Sequence, residues 1–282
     1  MEFTSPEAEQ RYADLVARVG EVVVGLDFDG VLSPIVEDPA QAHIHTSAPQ
    51  VLVDLSDVVR AVAVVTGRPA RQALALGGLD EVGDAIGQHG KELFIFGQYG
   101  NERWSSTNRR VVSPRPPHGL ASFGRELPAL LRRSDAADAF VEEKGLAVAV
   151  HTRRLEDPAA AYERLLPPIT ELAQTHGLVV EPGRNVIEVR APGQHKGHAV
   201  ETLVKEQAAG GFLYAGDDLG DVEAFEAVAA LRDRGIATLL VYAASDEESA
   251  LMPLADVTVP GPDGVLELLR QLIVDAGEVQ RA

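Results

Sequence analysis

The chain has 282 residues, 45% of them hydrophobic and 24% charged, which is enough material for one large or two modest cores. A formal net charge of −18 argues against a nucleic-acid partner, and the absence of cysteine excludes disulfides and thiolate chemistry. No apolar run approaches the roughly 18 residues that span a bilayer, and the opening MEFTSPEAEQRYADL is acidic where a secretory signal is basic and then apolar; no membrane partner and a cytoplasmic location are therefore expected.

Taken in chain order, an amphipathic helix over 7–19 leads into the apolar run VVVGL at 22–26. A helix over 48–59, the run AVAVV at 61–65 and a helix over 69–76 come next. Continuous apolar runs alternating with helices predict parallel strands covered on both faces, a Rossmann-like α/β core. The rhythm breaks at the Pro-rich stretch VVSPRPPHG over 111–119. Beyond it the pattern predicts a helix near 120–133, strands at 139–143 and 146–152, a helix over 157–176 and strands at 178–181 and 185–190. LAVAVHT and NVIEVR alternate as half-buried antiparallel strands do, so this block reads as an α+β cap inserted into the core. The core rhythm then resumes with helix 197–207, strand GFLYA at 211–215, helix 219–231, strand TLLVYAA at 238–244 and helix 263–275. The expected domains are core over 1–114, cap over 115–190 and core again over 191–282.

The loops at the ends of the strands carry the chemistry. The first run ends in DFDG, the second in TGRP, and GFLYA in GDDLGD. In an open parallel sheet the loops at the carboxyl ends of the strands share one edge, where ligands bind. Asp27, Asp29, Asp217 and Asp218 crowded there are costly unless a cation neutralises them, and oxygen ligands beside a phosphate suit Mg²⁺. Asp27, at a strand tip, can attack phosphorus as a carboxylate nucleophile. Asp29, two residues on and projecting to the same side, can exchange protons with the leaving group and with water. Thr66 offers a hydroxyl and Gly67 an accessible N–H to phosphate oxygens. Only four of the 25 basic residues are Lys, and Lys196 in GQHKGHA is placed to offset charge on the transferring group.

DFDGVLSP, TGR, a helix-opening Lys and GDDLGD, in that order, resemble the four motifs of haloacid-dehalogenase-type phosphatases. The resemblance implies Asp27 as nucleophile and Asp29 as acid/base. It further implies Mg²⁺ held by Asp27, the main-chain carbonyl of Asp29 and Asp217, with Asp218 and Asp221 in or near that shell. The stretches GQHGKE, GQYGNERW, VEEKGLAVAVHTR and EPGRNVIEVRAPGQHKGHA narrow the likeness to trehalose-6-phosphate phosphatases. Carried over by position, that likeness implies sugar binding by Glu142, Lys144, Arg153, Arg184 and Glu188, with a further substrate contact at His89 and Gly90. Charged pairs suit a disaccharide, since carboxylates accept from its hydroxyls while Lys and Arg donate to its oxygens. The expected protein is thus a monomeric Mg²⁺-dependent phosphatase acting on the small molecule trehalose 6-phosphate through an aspartyl-phosphate. Its competitors are a phosphatase for another sugar phosphate, such as sucrose 6-phosphate or glucosylglycerol phosphate, and a silent domain that regulates a synthase.

Overall fold

The computed structural model describes residues 2–36, 38–183, 185–193, 195–244 and 250–279. By contact density the chain divides into two compact units, Met1–Ser113 with His195–Ala282, and Pro114–Gln194.

The first unit is built on an eight-stranded sheet. Its strands are β1 (Glu2–Phe3), β2 (Val22–Leu26), β3 (Ala61–Val65), β4 (Leu93–Gly97), β5 (Glu102–Ser105), then, after the second unit's four, β10 (Gly211–Gly216), β11 (Ala237–Ala244) and β12 (Val257–Pro260). The spatial order is β1-β12-β11-β10-β2-β3-β4-β5, with only the outermost pairings, β1 to β12 and β4 to β5, antiparallel. Chain order runs outward from β2 on one side and from β10 on the other, so the topological switch lies between these two strands. That is where an open α/β sheet leaves a crevice at its carboxyl edge.

Alternation explains why these strands are apolar throughout. Val22, Val24, Leu26, Val62 and Val64 pack with helices α1 (Pro6–Ala17), α2 (Ala48–Val58), α3 (Ala70–Gly77), α4 (Leu79–Gln88) and the last helix, α9 (Gly261–Val279). Val23, Ala61, Ala63, Val65, Phe212 and Tyr214 pack instead with α7 (Gly197–Gln207) and α8 (Val222–Ala230). A strand buried on both faces has no polar face to show. Among the described residues no helix is long and apolar enough to cross a membrane.

Elements that the sequence pattern does not predict are short or weakly patterned. Helix α4 (LDEVGDAIGQ) carries two internal glycines, which lower helix propensity. Strand β4 (LFIFG) is a fully buried five-residue run between two motif-like stretches. Strand β12 ends in a proline, and β5 lies at the sheet edge.

The second unit holds a four-stranded antiparallel sheet in the order β6-β7-β9-β8, from β6 (Phe140–Glu143), β7 (Ala147–His151), β8 (Val179–Gly183) and β9 (Val186–Arg190). Helices α5 (Leu120–Arg133) and α6 (Pro158–Thr175) cover one face of it, packing Phe123, Leu127, Leu165 and Ile169 against Val148, Val150, Ile187 and Val189. Asp157 caps α6 by accepting from the Ala160 N–H at 3.0 Å, with Pro158 in the first turn. Because side chains alternate, the opposite face receives Glu142, His151, Glu188, Glu181 and Arg190. The sheet is therefore apolar on one side and charged on the other.

Candidate active site

The site is assembled at the carboxyl edge, beside the topological switch. Asp27 succeeds β2, Thr66 succeeds β3, Asp217 succeeds β10, and Lys196 immediately precedes α7. Asp27 accepts from the N–H of Phe28 at 2.6 Å through one oxygen, and its other oxygen lies 2.8 Å from the Lys196 ammonium. Lys196, itself buried, also donates to Asp221 at 2.7 Å. Asp221 is fully buried and accepts again from the Tyr214 hydroxyl at 2.7 Å and from the Asp217 N–H at 3.1 Å. Gly30, with φ of +68°, lets the DFDG turn close over this group; a Cβ there would lie 2.1 Å from the Asp217 carboxylate.

Carboxylate oxygens of Asp27, Asp217, Asp218 and Asp221 all lie within 4.8 Å of one another. Burial pushes the Asp27 carboxyl well above its usual range against the pull of Lys196, and Asp221, Asp218 and Asp29 add to the rise. Burial, then Asp218 and Asp27, push Asp217 up in the same direction. Burial alone would lower Lys196, but Asp221 and Asp27 outweigh it and hold the ammonium well above the ordinary lysine value. One ammonium among four carboxylates leaves the group over-supplied with negative charge. The Asp217 Oδ1 is moreover buried with no hydrogen-bond partner among the described residues. A buried acceptor left open in an all-oxygen cluster fits a hard divalent cation.

The Asp29 side chain stands apart from this cluster. Arg68 of the TGR turn takes both of its oxygens, Nε to Oδ2 and Nη2 to Oδ1, each at 2.7 Å. The Thr66 hydroxyl accepts from the Arg68 N–H at 3.1 Å, which shapes the turn around Gly67. Over Gly67 lies the ring of Tyr99, close enough that a Cβ on that glycine would come within 2.9 Å of it. Tyr99 lies just beyond β4 with φ of 57° and ψ of 35°, and its N–H donates to the Thr66 carbonyl at 3.0 Å.

The structure does not bring every expected residue to this edge. His89 and Gly90 lie between α4 and β4, at the amino end of the sheet, where His89 pairs with Asp57 at the end of α2. Neighbouring Lys91 donates to the Val59 carbonyl just before β3 begins, which fixes the segment there. This corrects the expectation for His89 and Gly90. The reason is β4, a strand the pattern does not predict, which carries the chain across the sheet and delivers Gln98 and Tyr99 to the carboxyl edge. Arg184 lies outside the described residues.

In the second unit, Lys144 donates to Glu188 at 2.6 Å and His151 Nε2 lies 3.0 Å from Glu142. Glu188 is buried, and its Oε1 has no hydrogen-bond partner among the described residues. Arg153 is exposed just beyond β7. Glu142, Lys144 and Glu188 thus share the charged face of one sheet. Sequence reasoning assigns no part to Arg68, Tyr99 or Tyr214, although Arg68 stands inside the TGR motif.

The mostly parallel sheet gives this chain a haloacid-dehalogenase-like fold. The fold is shared with a haloacid dehalogenase-like hydrolase of Bacteroides thetaiotaomicron, with a TM-score of 0.58 at 14% identity over 89% of this chain and 98% of that one. Within that class the chain belongs to the trehalose-phosphatase family, whose model matches residues 25–256. A relative called an uncharacterized glycosyl hydrolase, from Mycobacterium tuberculosis, is 30% identical over 98% of this chain and 20% of its own length. Trehalose-phosphate phosphatase B of Arabidopsis thaliana is 29% identical over 82% of this chain and 62% of its own. The chain thus spans about a fifth of the first relative and under two thirds of the second. The C-terminal domain of a Candida albicans trehalose-6-phosphate phosphatase has the same fold, with a TM-score of 0.75 at 19% identity over 95% of this chain and 96% of that one.

Proposed function

We propose that this chain hydrolyses trehalose 6-phosphate to trehalose and phosphate with Mg²⁺ as cofactor. The observation that carries the chemistry is Asp27 at a strand tip, 2.8 Å from the Lys196 ammonium and among carboxylates gathered within 4.8 Å. Family membership supports trehalose 6-phosphate as the substrate.

Asp27, Asp217 and the main-chain carbonyl of Asp29 would hold Mg²⁺, with Asp218 beside them. When bound, the ion offsets carboxylate repulsion and polarises phosphate oxygens. An Asp27 oxygen attacks phosphorus and the phosphorus–sugar oxygen bond breaks. Asp29 gives its proton to the departing sugar oxygen. Lys196 and the Thr66 hydroxyl, with the Gly67 N–H, bind the phosphoryl oxygens, so charge that spreads over them during transfer meets preorganised donors. Asp29 then takes a proton from water, whose oxygen attacks the aspartyl-phosphate, and the bond to Asp27 breaks to release phosphate. Asp221, saturated by Lys196, Tyr214 and the Asp217 N–H, holds the ammonium in place and does not react.

The segment Pro114–Gln194 acts as the substrate-selecting cap, reading sugar hydroxyls with Glu142, Lys144, Glu188, Arg153 and Arg184. A buried ion pair with one carboxylate oxygen still open suits hydroxyl recognition, since that oxygen has acceptor capacity to give. The test is phosphate release, with and without Mg²⁺, from trehalose 6-phosphate, sucrose 6-phosphate and glucosylglycerol phosphate. Release from trehalose 6-phosphate well above the other two, abolished by chelation, is expected. Equal rates on all three would keep the phosphatase and remove the substrate; no release from any would leave a regulatory domain.

A further inference from the structure

We propose that Arg68 is a positioning residue for proton transfer: its guanidinium holds the Asp29 carboxylate apart from the metal-type cluster, as the group that protonates the leaving oxygen. The proposal rests on the acid/base role of Asp29 in the proposed function.

Asp29 belongs to the same Asp-x-Asp turn as Asp27, so its carboxylate is an obvious recruit for any cation at the cluster. A carboxylate bound to the ion could not also serve the leaving oxygen. The structure shows it held elsewhere. Both Asp29 oxygens accept from one guanidinium at 2.7 Å, the bidentate geometry that fixes a carboxylate's plane as well as its position. The guanidinium is itself anchored. Its Nη1 donates to the Pro39 carbonyl at 2.9 Å, and its carbon lies 5.5 Å from the centre of the Phe28 ring. Through its own N–H, Arg68 is tied to the Thr66 hydroxyl at 3.1 Å, so carboxylate and phosphate turn are fixed to each other. Asp29 is absent from the carboxylates that converge within 4.8 Å. Its side chain is 39% exposed against 7% for Asp27. In-line displacement by Asp27 expels the ester oxygen on the side away from the buried nucleophile, and Asp29 is an exposed carboxylate that stands outside the cluster. To donate its proton it must free one oxygen from the fork while Arg68 retains the other, which keeps it beside the leaving group.

The test separates leaving groups. A sugar departs as a strongly basic alkoxide and needs the proton, whereas p-nitrophenol departs as a stabilised phenolate and needs it far less. The measured quantity is kcat/KM, which covers steps only through the first departure and so excludes the water-activating half of the cycle. Arg68→Gln should lower kcat/KM for trehalose 6-phosphate by about ten- to a hundredfold, part of the 10²–10⁴ that acid–base catalysis contributes. For p-nitrophenyl phosphate it should change less than about threefold. Arg68→Lys, which keeps charge but not the fork, should fall between wild type and Arg68→Gln. Adding Arg68→Gln to Asp29→Asn should cost little beyond Asp29→Asn alone, because residues that act as one unit are not additive. Equal loss on both esters, no loss on either, or additive loss in the double variant would each overturn the proposal. Asp29→Asn measured alone keeps the two readings apart: if it lacks the leaving-group split, the acid role of Asp29 falls, whereas a split there but none in Arg68→Gln removes only Arg68.

Discussion

Two regions of this protein bury charge, and they do so on opposite terms. On the sheet of the second unit charges come in opposed pairs, Lys144 with Glu188 and Arg190 with Glu181, and the His151 ring lies within hydrogen-bond distance of Glu142. At the carboxyl edge of the first unit, one buried ammonium serves Asp27 and Asp221 while Asp217 and Asp218 stand within 4.8 Å of the same group. In the proposed function the paired face would meet a neutral ligand rich in hydroxyls, and the unbalanced edge would hold a cation and a phosphate that the cation and Lys196 share.

The largest loss is expected at Asp27. Asp27→Asn conserves volume but cannot attack phosphorus, and turnover should fall by more than about a hundredfold on every ester, including p-nitrophenyl phosphate, with the far-ultraviolet spectrum unchanged. Survival of more than about a hundredth of the wild-type rate would remove the nucleophile assignment.

A smaller and selective loss is expected on the paired face. Glu188→Ala removes the carboxylate that Lys144 meets at 2.6 Å. It should lower kcat/KM for trehalose 6-phosphate by roughly ten- to several-hundredfold, from about 1–3 kcal/mol per unpaired partner and more where a charge is left. Hydrolysis of p-nitrophenyl phosphate, which has no sugar to bind, should barely change. Proportional loss on both substrates would mean that Glu188 supports the fold and does not read the sugar.

The smallest effect concerns stability and has the opposite sign. A carboxyl whose folded-state pKa is raised contributes stability below its unfolded pKa and loses it as pH rises through the folded value. With Asp27 and Asp217 both raised, the metal-free protein should become less stable from acid toward neutral pH. Mg²⁺ competes with those protons, so the rise in melting temperature on adding it should be larger at about pH 8 than at about pH 5.5. Asp217→Asn should stabilise the metal-free protein by about 1–2 kcal/mol while abolishing activity, the trade expected where function requires crowded charge. A melting temperature for Asp217→Asn below that of the metal-free wild type would contradict this account of the cluster.

Much of the carboxyl edge proposed as the active site is legible in the sequence because it is local. A strand tip is read from where an apolar run stops, which is enough for Asp27, Thr66 and Asp217; the two-residue alternation carried past that tip fails at Asp29, because the chain turns there and gives its carboxylate to Arg68. The charged face of the second sheet is legible for the same reason, since NVIEVR and LAVAVHT carry their own alternation. Three features depend on the tertiary structure. His89 and Tyr99 flank one short strand, and only its direction across the sheet decides which of them reaches the carboxyl edge. Asp221 reads as another acidic ligand until Lys196 and Tyr214 are seen to occupy it. Asp29 and Arg68 lie 39 residues apart, and their pairing exists only because β2 and β3 are neighbours in the sheet. Period and burial are properties of a segment, whereas the choice of partner for a charge is a property of strand order, which no single segment carries.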